Sequence, residues 1–188
     1  MSTFWRTAGQ VGGLVAATYL LDVPLRRAIL AKKARKYADS KGLPLLNVGA
    51  GTAGSALFGA TLYGDVNCDL NGRTDIPHGT TGKITQADAQ NLKDFKDGQF
   101  GAVLASHLLE HLPEPQKAIE EWLRVVGGDR NALFIITPYW WAPHTWLHPG
   151  HLWYATDGHG GTRGGKLIRI RKQYDPEVKK LTSLRGLD

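Results

Sequence analysis

The stretch LPLLNVGAGTAG, residues 43–54, decides the fold: an apolar run enters Gly49, Gly51 and Gly54 at G-x-G-x-x-G spacing. Such a run reads as a strand that turns directly into a helix, which is how nucleotide-cofactor sites begin. Gly49 suits the tight turn, Gly51 leaves bare backbone for a cofactor to lie against, and Gly54 lets the next helix pack closely on the sheet. Glycines at this spacing also occur in ordinary turns, so the rest of the chain has to agree.

Downstream segments do agree. TLYGDVNCDL (61–70) is a second strand-like run whose Asp69 follows Gly51 at close to the roughly 20 residues expected of an acid that binds a ribose diol. GKITQADAQNL (82–92) contributes Asp88, and FGAVLASHLLEHL (100–112) is an apolar strand that ends in His107, Glu110 and His111. After Pro113 and Pro115, AIEEWLRVV (118–126) places Ala118, Ile119, Trp122, Leu123 and Val126 on one helical face, with Gly127 and Gly128 as its stop. ALFIIT (132–137) then reads as a buried strand ended by Pro138. This alternation predicts an α/β, Rossmann-like, doubly wound and mainly parallel sheet. Ligands of such sheets gather at the carboxyl ends of the strands, so residues 49–54, Asp69, Asp88, residues 106–111 and the segment from Tyr139 should converge.

Three blocks in this order, LNVGAGTAG with Asp69, then ADAQNLKDFKDGQFGAVLASHLLEHL, then GGDRNALFIITP after a helix, cover about residues 43–138. On these blocks the chain resembles a class I S-adenosylmethionine-dependent methyltransferase, of the small domain commonly called type 11. The resemblance implies transfer of a methyl group from S-adenosylmethionine, with Asp69 on the ribose hydroxyls, Asp88 on the adenine amino group and the glycine turn beside the methionine moiety. Asn47, Gly49, Gly51, Gly54, Asp69, Asp88 and Ser106 are accordingly the cofactor-binding candidates. His107, His111 and His148 are the candidates for orienting or deprotonating an acceptor, which is expected to be a small molecule. Such transfer needs mainly alignment of a nucleophile and exclusion of water, with a base only for an acceptor that is protonated at working pH.

The chain departs from that pattern at two places. An acid usual in the family is replaced by Asn47, which can hydrogen-bond but carries no charge to oppose a sulfonium, and the usual Asp after Phe100 is Gly101. With the short chain after Tyr154, these departures keep a second function open, that of a non-catalytic methyltransferase-like binding or structural subunit. An NAD-dependent oxidoreductase is disfavoured because it has no use for the ADAQNL-to-SHLLEHL block.

His107, Glu110 and His111 also spell H-x-x-E-H, a zinc-peptidase motif that belongs in mid-helix. Here it follows a strand directly and Pro113 interrupts it, so that chemistry is set aside. The segment YWWAPHTWLHPGHLWY (139–154) packs four of the six tryptophans and three of the seven histidines into sixteen positions. It reads as a long structured loop, either walling an acceptor pocket or filling a small core of its own. Trp140, Trp141 and Trp146 are the rings that would favour a sulfonium cation. His144, His148 and His151 lack a flanking acid or Cys that would complete a familiar ligand set, and no metal is expected.

A chain of 188 residues with 42% hydrophobic and 21% charged residues suits a globular domain with a sizeable core. The single cysteine, Cys68, has no internal disulfide partner and sits in a strand, where an inert buried thiol is expected. The net charge of +6 is uneven: residues 1–41 are basic, the body is acidic and the C-terminal end is basic. The expected division is a basic helical region (1–41), a cofactor-binding core (42–154) and a basic tail (155–188) whose one strand is KLIRIRK (166–172). The stretch DGHGGTRGG (157–165) before that strand is a flap or a linker. The sheet is therefore expected to be shortened at its C-terminal edge or completed by a second copy.

VGGLVAATYLL (11–21) is eleven residues, short of the about 20 that span a bilayer. Asp22 as cap and Pro24 in the first turn open a second helix, PLRRAILAKKARKYADSKG (24–42), and the pair is expected to cover the sheet or to touch an anionic membrane surface. Nucleic acid is not expected, for the basic ends lack the aromatic pattern of an RNA-binding module. A cytoplasmic location, with peripheral membrane contact through the basic helices, follows from these readings.

Overall fold

Leu45, Leu46, Asn47 and Val48 are all buried, and a strand buried on both faces needs cover on both. In the computed structural model, which describes residues 25–51, 64–71, 84–142, 145–146, 148–157 and 166–170, that strand is the centre of a sheet. β1 (Leu45–Val48), β2 (Val66–Asp69), β3 (Ile84–Gln86), β4 (Ala102–Ser106) and β5 (Leu133–Ile136) lie in the order β3-β2-β1-β4-β5. Every pairing is parallel, so all five carboxyl ends share one edge.

The period of two along each strand separates the cores. Leu46, Val48, Val103, Ala105, Leu133 and Ile135 face α2 (Pro115–Val125), which contributes Ala118, Ile119, Trp122 and Val125. Leu45, Ala102, Leu104, Phe134 and Ile136 face α1, the helix over residues 25–41, which contributes Leu30, Ala31, Ala34 and Ala38. The expected face of α2 is thus the buried one, with Leu123 only partly covered. Its stop is also as expected: Gly127 and Gly128 have φ of 69° and 84° and return their N–H groups to the carbonyls of Arg124 and Leu123.

The alanines of α1 let its backbone approach closely. A Cβ on Gly101 would lie 2.8 Å from Ala38 Cα, so the glycine that stands where an acid is usual makes room for this helix. Three basic residues of α1 are tied to the body: Arg35 pairs with Asp65, Lys41 lies 3.2 Å from Asp129, and the Arg26 guanidinium sits 4.0 Å over the Tyr139 ring. α1 therefore covers the sheet, the first of the two expected roles, while residues 11–21, Asp22 and Pro24 lie outside the described residues. No helix among the described residues is long and apolar enough to cross a membrane.

Among the described residues the parallel sheet ends at β5, the shortened edge that was expected. The remaining strands, β6 (Trp153–Ala155) and β7 (Leu167–Arg169), pair antiparallel in a separate two-stranded sheet. β7 is the strand expected within 166–172, but β6 corrects the reading of 139–154 as loop throughout. Trp153 and Tyr154 register with Arg169 and Ile168, and the Leu152 N–H donates to the Glu110 carbonyl at 2.7 Å. Pairing between distant segments overrides the turn-like composition around them.

Candidate active site

β1 passes into Gly49 and Gly51, whose φ values of 65° and 81° lie in the left-handed region that glycine enters without steric cost. The two do different things. A Cβ on Gly49 would meet Leu108 Cδ2 at 2.8 Å, whereas one on Gly51 would meet nothing within 4 Å among the described residues. The turn is held by β2: Ala50 N–H donates to the Cys68 carbonyl at 3.0 Å and Gly51 N–H to Asp69 Oδ2 at 3.0 Å. Asp69 Oδ1 accepts from Asn71 N–H at 3.1 Å, so the carboxylate is fixed at the sheet edge while each oxygen keeps a further lone pair. Gly54 lies outside the described residues.

Asp88 follows β3 and forms an Asx turn, its Oδ1 accepting from Gln90 N–H at 2.9 Å. Gln90 Oε1 in turn accepts from Glu114 N–H at 2.8 Å, which links that turn to the start of α2. Asn47 is buried in β1 and its side-chain amide donates to Asn67 Oδ1 at 3.0 Å. Ser106 ends β4 with its hydroxyl accepting from Arg27 Nε at 2.9 Å, a partner from α1 that no local pattern reveals. Cys68 is the inert thiol expected: burial and the Asp69 charge push its pKa up to about 12.

The end of β4 carries the densest polar cluster. His107 has φ of 53°, a sparsely populated conformation for a residue other than glycine, of the kind stored at functional sites. Its N–H still donates to the Ile136 carbonyl at 2.9 Å, and its Nδ1 lies 3.3 Å from Glu110 Oε1. Residues Leu109–His111 form a short 3-10 turn rather than mid-helix, which removes the geometry a zinc peptidase would require. Burial works to raise the Glu110 pKa, but the contact with His107 and the neighbouring imidazoles outweigh it and hold the carboxyl below its ordinary range. Among the described residues, His107 Nε2, both Glu110 carboxylate oxygens and Thr137 Oγ1 are buried without a hydrogen-bond partner. All four atoms lie just beyond β4 and β5, where an α/β sheet receives its ligand.

The segment after β5 reaches the same turn. His111 Nδ1 donates to the Gly150 carbonyl at 2.9 Å, and Trp153 Nε1 donates to the Leu112 carbonyl at 2.9 Å. The His111 ring lies 5.2 Å from that of His148 and 4.7 Å from that of His151. Two of the three expected catalytic histidines, His111 and His148, therefore stand together, while His107 pairs with Glu110. His151, grouped in the sequence with His144 rather than with His111, was missed as a neighbour of His111; His144 lies outside the described residues. The tryptophans do not fill a loop core: Trp140, Trp141 and Trp146 are exposed, with Trp141 stacked on Tyr139 at 5.1 Å and Trp146 Nε1 bonded to the Trp140 carbonyl.

A family model described as a methyltransferase domain, type 11, matches residues 46–129, from β1 to just past α2. No curated protein and no solved structure matches the chain.

Proposed function

We propose, from the match of residues 46–129 to a methyltransferase-domain model of the class I S-adenosylmethionine-dependent type, that the chain methylates a small-molecule acceptor at the carboxyl edge of its sheet. The observation that carries the proposal is the glycine turn clamped to Asp69, with nothing among the described residues within 4 Å of where a Cβ on Gly51 would stand. The donor set fits S-adenosylmethionine: a ribose diol needs a fixed acceptor, which Asp69 offers, and the adenine amino group needs another, which Asp88 offers. When bound, S-adenosylmethionine supplies a methyl carbon made electrophilic by the adjacent sulfonium.

The chain's own residues then have two tasks. The first is alignment and exclusion of water, served by Gly49, Gly51 and the segment from Tyr139, whose exposed indole faces suit an apolar or aromatic acceptor. The second is proton removal from a protonated acceptor. With its proton on Nδ1 and turned toward Glu110, His107 presents Nε2 as the accepting atom, and the buried carboxylate stabilises the imidazolium that forms.

A second reading, a binding subunit that does not catalyse, has one observation in its favour. Asn47 is uncharged and its amide is engaged by Asn67.

The test is a screen for transfer of labelled methyl from S-adenosylmethionine to a panel of small hydroxy and amino compounds. Transfer that falls by roughly 100-fold in His107→Asn supports the proposal, in line with the usual contribution of a general base. Cofactor binding without transfer to any acceptor class favours the second reading.

A further inference from the structure

We propose that His111, His148 and His151 form a binding site for a divalent transition-metal ion of the Zn2+ class, which clips the segment after β5 to the turn that follows β4. The proposal does not rest on the cofactor reading, because none of these residues belongs to the cofactor-binding set, although His111 and His148 are also acceptor candidates. The three side chains offer one ligand atom each, all within 4.8 Å of one another. Tetrahedral Zn–N bonds of about 2.0–2.1 Å would separate ligand atoms by about 3.4 Å, so small ring rotations close the set.

The surroundings favour such closure. His111 and His151 turn Nδ1 to the carbonyls of Gly150 and Thr145, at 2.9 Å and 3.2 Å. With the protons there, the lone pairs sit on Nε2, the arrangement that orients imidazoles around metals. His148 Nδ1 accepts from Gly150 N–H at 3.1 Å, so ligation there exchanges one electrophile for another. A Cβ on Gly150 would lie 3.2 Å from both His111 Nδ1 and His148 Cε1, so the rings approach closely around this glycine.

A buried carboxylate also adjoins the cluster. Glu110 is fully buried, and both its oxygens are without a hydrogen-bond partner among the described residues. A metal held by the adjoining imidazoles would place a positive charge beside it. Three nitrogen ligands without thiolates select Zn2+ or Co2+ over Mg2+ or Ca2+. The exposed side of His148 leaves a fourth position to water.

The experiment is titration of the full, tag-free chain, first stripped with chelator, with Co2+ followed by visible absorption and then displaced by Zn2+. One Co2+ per chain is expected, with affinity lowered at least about tenfold in His148→Gln and in His151→Gln. Zn2+ should raise the Tm of the parent chain but not of His148→Gln, whose site is exposed and whose fold is checked by circular dichroism. Should His151→Gln not fold, His148→Gln decides alone. Absence of Co2+ binding, or equal binding by the parent and His148→Gln, overturns the proposal, and S-adenosylhomocysteine binding by the stripped chain, measured in parallel, tests the cofactor reading separately.

Discussion

Gly51 donates its backbone N–H to Asp69 Oδ2 at 3.0 Å, so the residue that ends β2 also holds the glycine turn that follows β1. Placement of a cofactor acceptor and stiffness of the turn are thereby joined in one carboxylate. Asp69→Ala is expected to weaken S-adenosylhomocysteine binding by about 1–3 kcal/mol, the range for a lost hydrogen bond to a charged group. Asp69→Asn, which retains an acceptor for Gly51, should lose less. Calorimetric affinities read both, and unchanged affinity in Asp69→Ala removes Asp69 from the cofactor site.

Much of this arrangement is legible in the sequence because the central strands are buried on both faces and read as continuous apolar runs. β1, β4 and β5 announce themselves in this way, and Gly49 and Gly51 have the positive φ that their spacing implies. What escaped is carried by tertiary contact. Arg27 reaches Ser106 from α1, and His111 meets His148 and His151 across the β5 edge, without a local period to signal either. β6 was hidden among Trp, His and Pro because its pairing with β7 lies outside its own composition. Gly101 read as a departure from a family pattern, and only the backbone of Ala38 against it supplies the reason.

The bond from Arg27 to Ser106 joins α1 to the active edge. Arg27→Met keeps the aliphatic stem and removes the donor, and it is expected to lower unfolding stability by about 1–2 kcal/mol. Urea denaturation followed by far-UV circular dichroism measures it, and an unshifted midpoint would mean that this bond adds nothing to the other contacts of α1.

Trp122 is fully buried in α2 and its Nε1 donates to the Ala89 carbonyl at 3.0 Å. Trp122→Phe should cost about 1–3 kcal/mol by leaving that carbonyl unpartnered, and Trp122→Ala about 3–5 kcal/mol through the cavity. Chemical denaturation of the two variants reports the order, and equal losses would place the cost in the hydrogen bond that both variants lose rather than in volume.

Cys68 is expected to resist thiol reagents at pH 8 in the folded chain and to react at once on unfolding. Its folded pKa, about 12, lies above the ordinary 9.0. The stability linked to this group is therefore intact below pH 9 and declines as pH rises from 9 toward 12. Labelling rates against denaturant concentration check the first point, and rapid labelling in buffer would show the thiol to be accessible.

The central claim is that the edge built from Gly51, Asp69 and Asp88 takes S-adenosylmethionine. It is tested most directly by calorimetric titration of the purified chain with S-adenosylhomocysteine, with NAD as the control. The account expects one site for S-adenosylhomocysteine and no heat from NAD. Binding of NAD alone, or of neither compound, would contradict it.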